Sequence, residues 1–154
     1  MNYISNTGNK MQTFLASPDF IESAKVLDYR RLGKQRVEVL QILNTLRYGS
    51  RWENHPAVLM WKNYESALCK YGYAICDEWT NRGYIDNTKY KISEHDWYYL
   101  NIYTLIEYPL WLGNEDFHRS HRSNLLRKYP EHYRQFWPDE RDDLPYTWPV
   151  RKGY

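Results

Sequence analysis

The chain has 154 residues, and its 21 Lys and Arg against 19 Asp and Glu leave a formal net charge of +2. That length suits one domain with a single core and is short for two. So mild a charge argues against general attraction to nucleic acid or to membranes. The sequence also lacks both an apolar N-terminal segment and a run of eighteen apolar residues, which excludes a standard secretion signal and a membrane span. We therefore expect a cytoplasmic protein.

Residues 1–10 are polar and show little periodicity, which predicts an N-terminal extension before a single helical domain over residues 11–154. Met11 offers an alternative start of translation. Cys69 and Cys76 fall in one predicted helix, where their spacing puts the Cα atoms about 10 Å apart, so we expect free thiols. No Cys and His spacing typical of zinc and no glycine-rich phosphate loop occurs, so we predict neither a metal nor a cofactor.

Helical periodicity runs through the first half of the chain. Ser17 before a proline predicts the N-cap of a short helix that ends at about Leu27. Asp28 predicts the cap of a second helix ending near residues 48–49, in which Gly33 marks a bend or a close approach to the backbone. The longest helix is predicted to begin at residues 54–56 and to continue to a glycine stop at residues 82–83.

The second half adds three more predicted helices. Residues 93–96 resemble a capping box before a helix over residues 97–107, and Asn114 predicts the cap of a helix running to about Lys128. A last short helix begins at Pro130. The proline-rich and aromatic remainder predicts an extended strap over the surface. No segment has the period of a strand, so the predicted fold class is all-α.

Two basic clusters, at residues 25–36 and 119–128, are the candidate functional features. On a helical wheel, at about 100° per residue, a set of polar side chains from three helices falls on the inward-facing sides. This predicts a basic pocket within the helical domain. The inward set is Gln35, Arg36, Glu65, His118, His121 and Arg122, and the predicted rim is Arg30, Arg31, Lys34, Arg119, Arg127 and Lys128. Cations with nearby rings suit an anion that carries flat rings, namely DNA, RNA or a nucleotide.

Each of these features also has a purely structural interpretation. Arg36 on an apolar face needs a partner, and a buried ion pair meets that need as well as a ligand does. Glu65 is the one acid predicted inside, and a salt bridge to Arg36 or Arg122 would explain it. The basic residues at 118–122 fit a solvated helix face equally well.

Several stretches together resemble one known family. They are MQTFL at 11–15, VLDYRRLGKQRV at 26–37, NHP at 54–56, NRGY at 81–84 and SHRSNLLRKYPEHY at 120–133. The likeness covers residues 11 to about 149 and is to a phage and bacterial branch of the pyrimidine-dimer DNA glycosylase (endonuclease V) superfamily.

The resemblance implies a compact all-α fold whose N-terminal segment threads between helices. It also implies enzymes whose N-terminal α-amine attacks the sugar of a dimerised pyrimidine, forms an imine and leads to strand cleavage, assisted by a glutamate. By position, Arg30 and Lys34 correspond to arginines that hold phosphates, and Arg122 or a near neighbour corresponds to one in the C-terminal helix.

The sequence departs from the family pattern at both catalytic groups. Arg31 stands where the family has its glutamate, and a guanidinium cannot act as a carboxylate does. The extension moves the free amine away from Gln12. Because an arginine stands in place of the family's glutamate, Glu65 is the remaining candidate for the acid.

Two functions from different classes follow. One is a DNA-binding glycosylase and AP lyase that excises or nicks at damaged or modified bases. The other is a non-catalytic binder that sequesters a small cyclic nucleotide signal, as a phage anti-defence protein would. A helical protein that binds a protein partner is the third possibility.

Overall fold

The computed structural model describes residues 11–150, and in that range the chain forms a single compact domain of seven helices with no strand. This confirms the predicted fold class. The helices in chain order are α1 (Phe20–Val26), α2 (Tyr29–Tyr48), α3 (Pro56–Leu59), α4 (Glu65–Asn81), α5 (Lys89–Leu100), α6 (Glu115–Lys128) and α7 (Pro130–Tyr133). The predicted extension at residues 1–10 lies outside the described residues.

The first two helices are capped by aspartates. The Asp19 carboxylate accepts a hydrogen bond from the Glu22 amide at 3.0 Å, so the N-cap of α1 lies two residues later than the predicted cap at Ser17. Asp28 caps α2 as predicted, and α2 ends at Tyr48, followed by the C-cap Gly49, whose φ of 83° lies in the region that favours glycine.

The prediction of one long third helix is wrong, because a turn between α3 and α4 interrupts the helix. Asn63 takes a positive φ of 73° there, and its amide donates to a carboxylate oxygen of Glu65 at 3.2 Å. Glu65 therefore closes a turn at the start of α4, and α2 is the longest helix in the described part of the chain.

The predicted boundaries of the fifth helix are also wrong. Asp86 accepts from the amides of Thr88 and Lys89 at 3.1 and 2.8 Å, which starts α5 several residues before the predicted capping box. Residues 93–96 lie inside α5, and α5 ends at Leu100, well before Pro109. The Asp86 side chain caps the helix upstream, so the Ser-x-x-Asp pattern at residues 93–96 does not mark a helix start.

The last part of the chain follows the prediction. Asn114 caps α6 by accepting from the Phe117 amide at 3.2 Å. After α7 the chain runs without helix to residue 150, and Trp137, Tyr146 and Trp148 pack against the core. This C-terminal strap, residues 138–150, is the predicted extended segment.

The core lies around α4, which packs against α1, α2 and α5. Gly72 of α4 permits close packing, since a Cβ there would come within 2.9 Å of Val39 and Ile92 side-chain atoms. Residues 11–16, the N-terminal segment, are buried throughout and run between α2, α4 and α6, as the threaded arrangement requires. Cys69 and Cys76 are buried and free.

Candidate nucleic-acid interface

Gln35 of α2 holds the N-terminal segment by hydrogen bonds. Its amide oxygen accepts from the Phe14 amide at 2.6 Å and lies 2.7 Å from the Tyr71 hydroxyl. Its amide nitrogen donates to the Gln12 carbonyl at 2.7 Å and to the Glu38 carboxylate at 3.0 Å. Gln35 faces inward as predicted, and it is completely buried with its hydrogen-bonding capacity used by the protein itself.

His118 and His121 hold the same segment from α6. His121 Nδ1 accepts from the Leu15 amide at 3.0 Å, and His118 Nδ1 lies 2.9 Å from the Leu15 carbonyl. Both rings are fully buried, and burial lowers both pKa values, that of His121 to about 3. Both side chains are therefore neutral near pH 7 and serve the threaded segment instead of facing an open pocket.

The predicted interior site shared by Arg36 and Arg122 is wrong. Arg36 donates to Asp86 at 2.6 Å and lies over the Trp79 ring at 4.5 Å. Arg122 donates to Glu140 at 3.1 Å. Each arginine forms an ion pair with a different carboxylate from a non-helical segment, so the two side chains do not face a common site.

Glu65 is buried as predicted, but its partners are not cations. Its carboxylate accepts from the Tyr103 hydroxyl at 3.0 Å and from the Asn63 amide at 3.2 Å. The predicted salt bridge to Arg36, Arg122 or a histidine is wrong, because Glu65 starts α4 and closes the turn there.

The carboxylate best placed for chemistry is Glu38, which the sequence interpretation missed. It lies beside the Gln12 backbone, 3.0 Å from Gln35 and 3.7 Å from Lys34. Burial raises its pKa to about 7. The available signal was its spacing, since Glu38 follows Gln35 by three residues and Lys34 by four and so shares a helix face with both.

A small polar site surrounds Glu38. Tyr146 of the C-terminal strap lies beside the Gln12 side chain, and Glu38, Arg31 and Arg127 all influence its phenol electrostatically. The Gln12 amide nitrogen is buried and has no hydrogen-bond partner among the described residues. We call Gln12, Glu38, Tyr146, Arg31, Lys34 and Arg127 the Glu38 site.

The model of the family described as pyrimidine dimer DNA glycosylase matches residues 11–92. The chain belongs to this family. No curated protein and no solved structure matches it. The matched region contains the threaded segment, α1 to α4 and the Glu38 carboxylate, whereas α6 and the strap lie beyond it.

Membership in the pyrimidine dimer DNA glycosylase family indicates a function related to DNA repair and a DNA substrate. The cations on α2 differ in how free they are to meet such a substrate. Arg31 is paired with Asp28 at 3.1 Å, whereas the Lys34 side chain is 62% exposed and Arg30 is exposed with no ion pair among residues 11–150.

The rim cations of α6 are largely engaged within this glycosylase-family fold. Arg119 donates to Glu140 at 2.8 Å, and Arg127 donates to the Asp142 carbonyl at 2.6 Å. Lys128 lies over the Tyr146 ring, 5.9 Å from its centroid. The predicted rim is thus divided, with α2 supplying the more available charges and α6 anchoring the strap.

Three further observations on residues 11–150 concern metal binding, membrane spans and surface depressions. No group of three or more His, Cys, Asp or Glu side chains there could hold a metal ion, and no helix in that range is long and apolar enough to cross a membrane. A shallow depression of about 890 Å³ between α2 and α5, lined by Arg47, Tyr48, Trp97 and Tyr98 among others, contains none of the predicted site residues.

Proposed function

We propose that the chain binds DNA across α2 and acts as a glycosylase and AP lyase on damaged or modified bases, with Glu38 in place of Glu65 as its acid. The observation that carries this proposal is the buried Glu38 carboxylate beside the Gln12 backbone. A pKa of about 7 lets one group accept and return protons near neutral pH. Family membership supplies the reaction class.

The chemistry requires an amine next to that carboxylate. An amine attacks C1′ of the deoxyribose and the glycosidic electrons leave with the base. The sugar ring then opens at the C1′–O4′ bond, with a proton delivered to O4′, and this gives the imine. Loss of a C2′ proton from the imine allows the β-elimination that breaks the C3′–O bond. Glu38 can take the proton that the amine loses on attack and return one to the leaving base. The Gln12 backbone lies beside Glu38, so an amine at Gln12, or one residue earlier at Met11, would lie near that carboxylate. In a chain that begins at Met1, residues 1–10 separate the amine from it in sequence.

The test is borohydride trapping of the imine on duplexes with a defined pyrimidine dimer or an abasic site. We expect a covalent adduct with a chain that begins at Met11, and its loss in Glu38→Gln. Glu65→Gln is the matched control, because that carboxylate is buried beside other partners, and it should retain trapping. Absence of an adduct from both the full chain and the shorter chain would contradict the catalytic proposal.

The second candidate function is a non-catalytic nucleotide binder. The Gln12 amide nitrogen favours it, because this buried donor forms no hydrogen bond of normal length among the described residues, and it lies beside the Tyr146 phenol and near cations, where it can bind a phosphate or a base edge. Thermal shift across a panel of linear and cyclic nucleotides separates the two functions. Tight binding of one small nucleotide without duplex binding would favour this candidate, and steeply salt-dependent duplex binding would favour the first.

A further inference from the structure

One face of α5 exposes large aromatic side chains to solvent. Ile92 and Tyr99 turn the opposite face of this helix into the protein, whereas Trp97 is 70% exposed and Tyr98 beside it is exposed as well. Tyr48, at the end of α2, is 69% exposed and lies next to them in the depression of about 890 Å³. We give the name α5 face to the surface formed by Arg47, Tyr48, Glu94, Trp97, Tyr98 and Ile102.

The composition of the α5 face is typical of the centre of a protein–protein interface. Trp, Tyr and Arg are the residues most enriched at the energetic centres of such interfaces. The face contains one Trp, two Tyr and one Arg, and the other residues that line the depression, Ser93 and Asn101, are uncharged. Rings that stay so exposed in a soluble domain indicate a surface that another protein covers.

Arg47 is held in position on the α5 face without a carboxylate. Its guanidinium lies over the Tyr98 ring at 3.9 Å and over the Tyr48 ring at 4.8 Å, and its Nη1 is 3.5 Å from His95 Nδ1. Stacking uses the flat faces of a guanidinium and leaves N–H groups at its edge for a carboxylate. Arg47 is therefore a positioned cation that has no acidic partner among residues 11–150.

Glu94 is the matching acid on the α5 face. It is exposed, and it forms no ion pair in the described part of the chain. Glu94 lies one helical turn, about 6 Å along α5, from Tyr98, the ring that carries Arg47, and Trp97 follows it by three residues on the same side of the helix. The face thus has one separate cation and one separate acid beside exposed rings.

This pattern of charge selects the kind of partner. A strongly acidic partner, nucleic acid included, would meet Glu94 with like charge, and a strongly basic partner would meet Arg47 in the same way. A second copy of the same face offers one acid and one cation of its own. In a two-fold contact, residue i of one copy meets residue j of the other and the reverse contact forms as well, so both charges find an opposite charge at once.

We propose that the α5 face is the interface of a symmetric homodimer. A two-fold axis near Trp97 would pack the exposed rings of the two copies together and would bring Arg47 of each copy to Glu94 of the other. Arg47 lies about 20 Å along α2 from Lys34, so the interface is separate from the cations assigned to DNA. The inference goes beyond the proposed function and does not depend on it.

The experiment is sedimentation equilibrium of the full chain from about 1 μM to about 1 mM, which covers the affinities of weak and moderate dimers. We expect the wild type to approach twice the monomer mass. Glu94→Arg and Arg47→Glu should each raise the Kd of the dimer about 10-fold to 30-fold, because each change places two like-charge pairs across a two-fold interface. Trp97→Ala should raise the Kd at least about 30-fold, since it removes a ring from both copies.

The decisive measurement is the restoration of pairing by opposite charges. The double variant Arg47→Glu with Glu94→Arg should dimerise as the wild type does, and an equimolar mixture of the two single variants should form a heterodimer. Glu131→Arg, at an exposed acid on α7, is the matched control and should leave the Kd unchanged. Thermal unfolding of every variant shows whether it is folded.

Three outcomes would overturn the inference. A wild type that stays monomeric up to about 1 mM has no such interface. A dimer whose Kd is unaffected by Trp97→Ala and Glu94→Arg uses another surface. Weakened single variants that neither the double variant nor the mixture restores would show that Arg47 and Glu94 do not pair across a two-fold axis. None of these outcomes changes the standing of the DNA-binding proposal.

Discussion

Glu38 shows how burial and one hydrogen bond change the chemistry of a single side chain. Its carboxylate is 8% exposed and accepts from Gln35 at 3.0 Å, while Lys34 lies 3.7 Å away. Burial disfavours the ionised form, and the nearby ammonium only partly offsets that effect. The result is an acid whose pKa of about 7 lies well above its ordinary value of 4.5.

Glu38 should make the protein less stable as the pH rises. The folded state holds a proton on Glu38 up to about pH 7, whereas the unfolded state releases it near pH 4.5. The stabilising contribution is therefore complete below about pH 4.5 and is lost between pH 4.5 and pH 7, with a magnitude of up to about 3 kcal/mol. Urea unfolding of the wild type and Glu38→Gln across this range measures the difference.

The difference between the two proteins isolates Glu38, because all other titrating groups are shared. Relative to the wild type, Glu38→Gln should gain stability as the pH rises and show a constant offset below about pH 4.5. Parallel stability curves over the whole range would mean that Glu38 titrates normally.

His121 should produce the opposite pH dependence. Burial lowers its pKa to about 3, so the unfolded state binds a proton that the folded state refuses between pH 6.5 and pH 3. Stability should fall by about 2 kcal/mol as the pH drops from 6.5 to 5 on account of this group. His121→Asn keeps an acceptor for the Leu15 amide and removes the titration. Chemical unfolding at several pH values should show a flatter acid limb for this variant; an unchanged limb would contradict the assignment.

Among the elements, α2 carries the Glu38 site on one face and a close contact with α4 on the other. One face carries Gln35 and Glu38 toward the N-terminal segment, and the opposite face receives Trp79 from α4 at Gly33. A glycine inside a helix lowers stability by about 1 kcal/mol relative to alanine, yet at this position it permits the α2–α4 contact. Of the two alternatives predicted for Gly33, a bend or a close approach to the backbone, the structure shows the close approach.

Gly33→Ala should destabilise the protein despite alanine's higher helix propensity. The new Cβ would lie 2.8 Å from the Trp79 ring, which is fixed by its hydrogen bond and by Tyr84. Overpacking of about 1–3 kcal/mol should exceed the propensity gain of about 1 kcal/mol. In a Trp79→Phe background the ring atoms that clash are absent, so the same substitution should become neutral or stabilising. Thermal unfolding of the double-mutant cycle measures the coupling.

At the scale of the whole molecule, the basic residues divide between structural fastening and ligand binding. Arg122 joins the Ala16 carbonyl, Glu115 and Glu140, and Arg127 donates to the Asp142 carbonyl in the strap. These α6 cations hold the N-terminal segment and the C-terminal strap onto the helices. The exposed cations on α2 make few such contacts and are the more available for phosphates.

Arg30→Ala and Lys34→Ala should each lower the slope of log affinity against log salt on duplex DNA by about 0.9, with little effect on Tm. Arg127→Ala should lower Tm, because it removes the bonds to the strap. Lys62→Ala serves as a control, as an exposed lysine at the break between α3 and α4. Salt titrations of binding together with thermal unfolding separate these effects. Unchanged slopes for both α2 variants would contradict a phosphate-binding role for these two cations.

The helical class, several helix ends and the burial of some of the polar residues follow from the sequence alone. Periodicity of 3.6 residues and the caps at Asp28, Gly49 and Asn114 are local properties, so they could be inferred without the fold. The helical wheel correctly predicted that Gln35, Glu65, His118 and His121 face inward.

The partners of those residues depend on the tertiary structure. A wheel gives a direction about one helix axis, whereas a contact also depends on how helices cross and where the connecting segments lie. Arg36 meets Asp86 fifty residues later, and Glu65 closes a local turn because the chain breaks before α4. Burial raises the pKa of Glu38, and burial depends on how the whole chain packs around α2, which no local pattern around Glu38 could reveal.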